Sequence, residues 1–225
     1  MTLRLPNKKA LVSGATGKLG VAIVDRLEAD GWDVIAAGSR DGDLATVAGA
    51  RALAERAGDR LDLLVHAAGA GFDPKPVEEV TEADWDAALD VTAKGTFFLT
   101  QAAAPSLRAA KGVVVVIEDV AAYQPWPSFA PHCAAKAAQA MLTRVLARAL
   151  APEVRVCGIA PGPVAVEPAQ EERRAAETLL GRIGSPEDVA GAVAYLANAG
   201  FVTGTSLVVD GGRLLQTGRG RTAYP

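Results

Sequence analysis

The chain has 225 residues, a formal net charge of −3 and 50% hydrophobic residues, which excludes a disordered or collagen-like protein and predicts one compact domain that folds without disulfides or a structural metal. The acidic balance argues against a nucleic-acid partner, and the longest aliphatic run, Val113 to Ile117, is too short to cross a membrane. Two cysteines without Cys-x-x-Cys spacing and an N-terminal segment without an apolar leader predict a cytoplasmic protein, and two isolated histidines predict no metal site.

Short β-branched runs alternate with Ala-rich stretches of helical spacing, which predicts a single-domain, doubly wound α/β fold with helices on both faces of a parallel sheet. The predicted strands are Lys9 to Ser13, Asp33 to Ala37, Leu61 to His66, Val113 to Ile117, Val154 to Ile159 and Ser206 to Val209. The predicted helices are Lys18 to Asp30, Leu44 to Ala57, Thr81 to Arg108, Pro131 to Leu150, Glu171 to Leu180 and Pro186 to Asn198. The domain is expected over residues 1–212, followed by a polar tail over residues 213–225 that is mobile unless a partner subunit holds it.

A glycine-rich turn, Ser13-Gly14-Ala15-Thr16-Gly17-Lys18-Leu19-Gly20, joins the first strand to the first helix. In a Rossmann-like fold this turn brings backbone N–H groups and a helix N-terminus to a pyrophosphate. The glycines alone are a weak signal, because any tight strand-to-helix turn needs one or two of them. The predicted dinucleotide contacts in this turn are Gly14, Thr16, Gly17, Lys18, Leu19 and Gly20.

The end of the second strand distinguishes the two nicotinamide nucleotides. An acidic residue there binds the ribose hydroxyls of NAD, whereas a basic residue accommodates the 2′-phosphate of NADP. The chain reads Gly38-Ser39-Arg40, so Ser39 and Arg40 are predicted contacts, and Arg40 with Lys18 offers two cations for one phosphate. This favours NADP; the alternative is that both cations are solvated surface charges.

Four further motifs resemble those of the short-chain dehydrogenase/reductase family, and together with the glycine turn the resemblance covers Lys9 to Gly212. The motifs are Leu63-Leu64-Val65-His66-Ala67-Ala68-Gly69, Val156-Cys157-Gly158-Ile159-Ala160-Pro161-Gly162-Pro163-Val164, Gly181-Arg182-Ile183-Gly184-Ser185-Pro186-Glu187-Asp188-Val189-Ala190 and Thr203-Gly204-Thr205-Ser206-Leu207-Val208-Val209-Asp210-Gly211-Gly212. The resemblance implies a homodimer or homotetramer paired through the two long helices. It also implies cofactor contacts at Ala67, Ala68, Gly69, Lys136, Pro161, Gly162 and Val164.

One segment is shorter than the family pattern. Only twenty residues separate Arg40 from Leu61, where the family places a helix, a strand and another helix. We interpret Asp43 and Leu44 as the acidic-apolar pair that follows the family's third strand, and expect both to contact the cofactor. The sheet is therefore predicted to have six strands and a more open adenine pocket.

The catalytic positions depart from the family pattern. The family has a tyrosine four residues before a lysine; the tyrosine protonates the substrate oxyanion, and the lysine holds the nicotinamide ribose. Lys136 matches the lysine, but His132 stands at the tyrosine's place, Asp119 at the place of a serine and Thr92 at that of an asparagine. Asp119 at the serine's place and the basic residue Lys18 resemble the pattern of the pteridine reductase branch, which reduces pterins or folates with NADPH.

Three functions follow from these residues. In the first, Asp119 and Lys136 organise the site of an NADP(H)-dependent reductase of small carbonyl, imine or pterin substrates, and His132 donates the proton, although imidazole ends about 2 Å short of a phenol. In the second, the chain binds nucleotide without catalysis, as a sensor or partner subunit. In the third, Asp119 and His132 are the acid and base of a redox-neutral reaction. Trp126 is predicted to form a wall of the substrate pocket. Tyr123 is predicted to border the same pocket, either as a packing or lid residue or as a phenol that approaches from another direction.

Overall fold

The computed structural model describes residues 8–71, 73–164 and 166–216. All six strands are parallel, in the order β2-β1-β3-β4-β5-β6, which confirms the Rossmann-like, doubly wound fold with six strands. The strands are β1 (Lys9–Ser13), β2 (Asp33–Ala37), β3 (Leu63–His66), β4 (Val113–Ile117), β5 (Arg155–Pro161) and β6 (Ser206–Val209). The helices are α1 (Lys18–Ala29), α2 (Val47–Glu55), α3 (Glu82–Leu89), α4 (Gly95–Ala110), α5 (Ala130–Leu150), α6 (Glu171–Ala175) and α7 (Pro186–Asn198).

The sheet is buried on both faces by helices. Side chains alternate along a strand, so Leu64 and Val114 pack with α2, α4 and α5, whereas Val65 and Val115 pack with α1 and α7. Two covered faces explain why β4 is an uninterrupted apolar run whose five residues are all buried. None of the helices described in residues 8–71, 73–164 and 166–216 is long and apolar enough to cross a membrane.

The shortened segment makes β2 an edge strand. Between β2 and β3 the chain forms one helix, α2, which starts at Val47 because the Thr46 hydroxyl accepts the Gly49 N–H at 3.0 Å. The connection folds tightly on itself, since a Cβ at Gly42 would lie 2.6 Å from the Gly49 carbonyl oxygen. A single helix thus returns the chain from the sheet edge to its centre.

Two predicted helices are wrong in extent. The helix predicted over Thr81 to Arg108 begins with the expected capping box of Thr81 and Asp84, but a π-helical turn at Asp90–Lys94 separates α3 from α4. The helix predicted over Glu171 to Leu180 ends at Ala175. The other strands and helices lie within three residues of their predicted bounds.

The first residues of the predicted tail pack onto the domain. Asp210 accepts hydrogen bonds from the backbone N–H groups of Gly212 and Leu214, both at 2.7 Å, and Arg213–Leu215 form a 3₁₀ turn. Tail residues 217–225 lie outside the described residues. The proposed boundary at residue 212 therefore stays a prediction.

His66 ends β3 in a fully buried position. Neither ring nitrogen makes a well-aligned hydrogen bond among the described residues, and the nearby backbone of His66 and Gly95 only partly offsets the lowering of its pKa. Burial, together with the positive charge of Lys136, lowers the pKa of His66 to about 3. The imidazole is therefore neutral in the folded protein at ordinary pH.

We expect His66 to make folding sensitive to acid. Its folded pKa lies below the unfolded value, so the unfolded chain binds a proton as the pH falls below about 6.5 while the folded chain does not. Between pH 7.5 and pH 5 the free energy of unfolding should fall by about 2 kcal/mol more in the wild type than in His66→Asn. Urea unfolding at the two pH values measures this. The control His132→Asn should keep the wild-type decrease, and an equal decrease in His66→Asn would contradict the prediction.

Candidate active site

The turn between β1 and α1 approaches the end of β3 closely. Gly14 has a φ of +70°, and a Cβ there would lie 2.6 Å from the Ala67 carbonyl carbon. A Cβ at Gly20 would overlap the Gly14 carbonyl oxygen, so both positions require glycine. Gly17 is the N-cap of α1 and supplies no side-chain acceptor. The N–H groups of the first turn of α1 are therefore suited to an anion such as a pyrophosphate.

A cavity of about 330 Å³ opens beside this turn, at the carboxyl ends of the strands. Nine predicted nucleotide contacts line it: Gly14, Thr16, Gly17, Ser39, Asp43, Leu44, Ala67, Ala68 and Gly69. Six lining residues were missed: Ser13, Ala37, Gly38, Gly42, Leu53 and Val91. Three of these, Ser13, Gly38 and Gly42, adjoin predicted contacts, and Ala37 ends the predicted second strand, so a local signal was available for all four. Leu53 and Val91 enter from helical segments, where their apolar character only indicates packing.

The remaining predicted nucleotide contacts are not among the residues that line this cavity: Lys18, Leu19, Gly20, Arg40, Lys136, Pro161, Gly162 and Val164. Pro161 ends β5, and the Gly162 N–H donates to the Val209 carbonyl at 3.0 Å. Val164 forms an isolated parallel bridge with Gly184. Their part in cofactor binding stays a prediction.

Lys18 and Arg40, the two cations predicted to share a phosphate, lie near different acidic residues. Lys18 Nζ lies 3.2 Å from Glu167 Oε1, in the segment that precedes α6, and both side chains are exposed. Asp41, next to Arg40, pairs instead with Arg56 at 2.7 Å. Arg56 thus places a third cation near the end of β2, and nothing in its helical sequence context indicated this.

The Lys136 ammonium is buried among neutral acceptors. The side chain is 7% exposed, and Nζ donates to the Ile117 carbonyl at 2.9 Å and to Gln139 Oε1 at 3.0 Å. The Gln139 amide in turn donates to Thr96 Oγ1 at 2.9 Å and to the Thr92 carbonyl at 3.4 Å. The lysine is therefore fixed at the end of β4 and linked to the π-helical turn.

Nearby carboxylates oppose the effect of burial on the pKa of Lys136. Burial lowers the pKa of Lys136, while the carboxylates of Asp119 and Glu118 raise it. Gln139 was not predicted, since a glutamine in an Ala-rich helix carries no recognisable motif. Its role is visible only because α5 packs against the π-helical turn.

The structure brings Asp119 and His132 together. His132 Nε2 lies 3.4 Å from Asp119 Oδ2, and Asp119 Oδ1 accepts the Ala121 N–H at 2.7 Å. The Trp126 ring lies parallel to the imidazole, with an interplanar angle of 6° and 6.5 Å between ring centroids. Both side chains of the pair are partly exposed. The arrangement brings an imidazole, a carboxylate and an indole together, and the place of Trp126 in a substrate pocket stays a prediction.

Tyr123 has a different partner. Its hydroxyl donates to Glu118 Oε2 at 3.3 Å, and the other oxygen of this buried carboxylate accepts from Thr143 at 2.7 Å. A Cβ at Gly158 would overlap the Glu118 carboxylate, so the glycine makes room for it. Burial, with the charge of Glu118, raises the pKa of Tyr123. The tyrosine hydroxyl is thus bound within a polar cluster, and its place in the substrate pocket stays a prediction.

Two residues beside Trp126 were missed entirely. The Arg213 guanidinium lies 4.8 Å from the centroid of the Trp126 ring, and its Nη2 is 3.0 Å from Glu177 Oε2. Arg213 belongs to the predicted tail, and Glu177 to the segment predicted as a surface helix. Tertiary folding alone brings Arg213 to Trp126 and Glu177 to Arg213.

A family model described as "Enoyl-(Acyl carrier protein) reductase" matches residues 40–213. The cattle (Bos taurus) protein "Dehydrogenase/reductase SDR family member 4" is 33% identical, over 93% of this chain and 88% of its own length. The "Inactive 2-(S)-hydroxypropyl-CoM dehydrogenase 2" of Xanthobacter autotrophicus is 36% identical, over 85% of this chain and 94% of its own length.

Two solved structures share the fold, and each is described as a complex with a nicotinamide nucleotide. A blue fluorescent protein from a metagenomic library, in complex with NADPH, is 30% identical with a TM-score of 0.81, covering 92% of this chain and 97% of its own. The 3-ketoacyl-(acyl-carrier-protein) reductase of Brucella melitensis, complexed with NADH, is 26% identical with a TM-score of 0.85, covering 92% and 98%. Since the family model spans more than half of the chain and these relatives align along most of it, the chain belongs to the short-chain dehydrogenase/reductase family.

Proposed function

We propose that the chain is an NADP(H)-dependent oxidoreductase that reduces a small carbonyl or imine compound, in the manner of the pteridine reductases. The observation that carries this proposal is the contact of His132 with Asp119, one helical turn from a buried lysine and at the same sheet edge as the glycine-turn cavity. An imidazole and a carboxylate in contact at the family's catalytic positions support acid–base chemistry there.

The cavity fits a dinucleotide. At Gly69 a Cβ would meet no atom within 4 Å, and at Gly17 only the Gly14 carbonyl oxygen at 3.5 Å, so both glycines leave space that a ligand can fill. The N-terminus of α1 adds a favourable field for phosphate. The NADPH and NADH named for the two neighbouring structures support a nicotinamide nucleotide in this place.

The chain's own residues supply a proton and orient the reactants. A bound nicotinamide nucleotide supplies the hydride. His132 holds the proton that the substrate oxygen or nitrogen receives, and its contact with Asp119 orients the ring. Lys136 spends two of its three N–H donors on the Ile117 carbonyl and Gln139, which leaves one for a ribose hydroxyl, the role that the family resemblance implies.

A second candidate is a nucleotide-binding protein without catalytic activity. The X. autotrophicus relative is described as inactive, and this chain has His132 where the family resemblance implies a tyrosine. The shorter reach of imidazole supports the same reading, because a misplacement of about 1 Å can lower a rate by about a hundredfold. Turnover with any substrate decides between the two candidates.

We further propose that the protein is cytoplasmic. We also propose that two or four copies of the chain assemble through α4 and α5. Ala137, Met141 and Val145 recur at four-residue spacing on α5 and are exposed, which forms an apolar stripe along the helix. Ala140 and Ala147 are buried within the chain itself, so they do not contribute to such a surface. An exposed apolar stripe of this kind favours contact with another protein surface.

Replacing His132 tests the proton donor. His132→Gln keeps a polar group near Asp119 but has no titratable proton, so we expect kcat to fall by roughly 10²- to 10⁴-fold with the dissociation constant of NADPH unchanged. NADPH oxidation with dihydropterins and small ketones measures the first, and nucleotide titration the second. Unaltered turnover would exclude His132 as the donor. If instead the wild type binds NADPH but reduces nothing, and His132→Tyr becomes active, the second candidate is correct.

Replacing Arg40 tests the preference for NADP. Arg40→Glu removes a charge-assisted contact to the 2′-phosphate and adds a repulsive one, so the affinity for NADPH should fall by roughly tenfold to a hundredfold while that for NADH changes little. Fluorescence titration with each nucleotide measures both. Arg148→Glu, on the exposed face of α5, is the matched control and should leave both affinities unchanged. Equal losses for the two nucleotides in Arg40→Glu would refute the assignment.

A further inference from the structure

Arg213 reaches the wall of the active site from a segment that follows the last strand. The two hydrogen bonds of Asp210 to the backbone turn the chain back after β6, and Arg213 starts the resulting 3₁₀ turn. The arginine side chain is 13% exposed. A long cationic side chain this well covered is unusual at a domain surface, where arginines are mostly solvated.

The guanidinium extends a stack that begins at His132. Arg213 lies over one ring of Trp126 at 4.8 Å, and Trp126 lies parallel to His132. A permanent cation and the imidazole therefore neighbour the same indole ring. Asp119 is among the carboxylates that stabilise the Arg213 charge, which places the guanidinium within electrostatic range of the acid–base pair.

The carboxylate partner of Arg213 is shared among three cations. Glu177 lies 3.0 Å from Arg213, 3.1 Å from Arg174 and 3.5 Å from Arg173. One carboxylate therefore faces three guanidinium groups. Burial lowers the pKa of Arg213. The negative charge of Glu177 raises this pKa, and the positive charge of Arg174 lowers it. The positive charge at this wall is only partly compensated by Glu177.

The guanidinium also keeps donors for a further ligand. Arginine has five N–H donors in a planar fork. Within residues 8–71, 73–164 and 166–216, the contacts of the Arg213 guanidinium are one Glu177 oxygen and the face of Trp126. A carboxylate matches the remaining edge of the fork, because two of its oxygens can accept parallel N–H groups.

We propose that Arg213 binds a carboxylate of the substrate, so that this site takes carbonyl or imine compounds that carry a carboxylate close to the reacting group. The inference rests on the proposed function and names its substrate class. The binding energy of the carboxylate would orient the reacting group toward His132, alongside the Trp126 indole that both residues neighbour. A neutral ketone of the same size lacks this contact.

Titration of the nucleotide and of carboxylates in two separate steps tests the proposal. The first step measures NADP⁺ binding, and its failure would count against the proposed function alone. The second step titrates acetate, succinate, 3-oxobutanoate and tartrate, and then their methyl esters, into protein with or without saturating NADP⁺. We expect at least one acid to bind roughly ten- to a hundredfold more tightly than its ester. Equal binding of every acid and ester would overturn the proposal.

Variants of the two charged partners separate ligand binding from a structural role. Arg213→Gln should lose the preference for the acid, Arg213→Lys should keep part of it, and the control Arg148→Gln should keep all of it. Glu177→Gln removes the competing carboxylate and should bind the acid more tightly. A purely structural Arg213–Glu177 pair would weaken binding in both partners' variants, and that result, or an unchanged preference in Arg213→Gln, would overturn the proposal. Thermal unfolding confirms that each variant is folded.

Discussion

The carboxyl edge of the sheet depends on one buried ammonium group, whose hydrogen-bond acceptors among the described residues are neutral. Lys136 Nζ is held by the Ile117 carbonyl and by Gln139, and the glutamine is satisfied by the π-helical turn that carries Thr92. A charge removed from water is tolerated only when its donors are met by acceptors. Meeting this requirement fixes the end of β4, the first half of α5 and the junction of α3 and α4 in one arrangement. His132 lies one turn before Lys136 on the same helix.

The loop after β4 carries two adjacent carboxylates with different roles. Glu118 is withdrawn into a polar cluster with Tyr123 and Thr143, in space that Gly158 leaves open, whereas Asp119 is partly exposed and faces His132. Both carboxylates favour the charged form of the nearby lysine. The buried one thus compensates charge and shapes the loop, and the exposed one is left to act on the imidazole.

The shortened connection after β2 alters the cofactor side of the fold without disturbing this edge. A single helix, α2, connects β2 to β3, where the family resemblance implied a longer crossover with one more outer strand, and the inner strands pair in parallel register. The turn over Gly42 and Asp43 therefore forms part of the cavity wall. Parallel strands in the centre of a sheet are supported from both sides, so removal of an edge element is the least disruptive deletion that this architecture allows.

The sequence alone determined the features that depend on residues close together in the chain. Strand and helix alternation, the glycine turn and the four-residue spacing of His132 and Lys136 are all local, because backbone sterics and helical periodicity act over a few residues. The six-strand sheet was expected from the family resemblance, which showed the segment between Arg40 and Leu61 to be short. The tertiary structure decided the rest. Gln139 meets the Thr92 carbonyl, and Arg213 meets Trp126 and Glu177, only after distant segments have packed against one another. Such contacts depend on which side chains the crossing elements bring within a few ångströms, and no local pattern in the sequence encodes that distance.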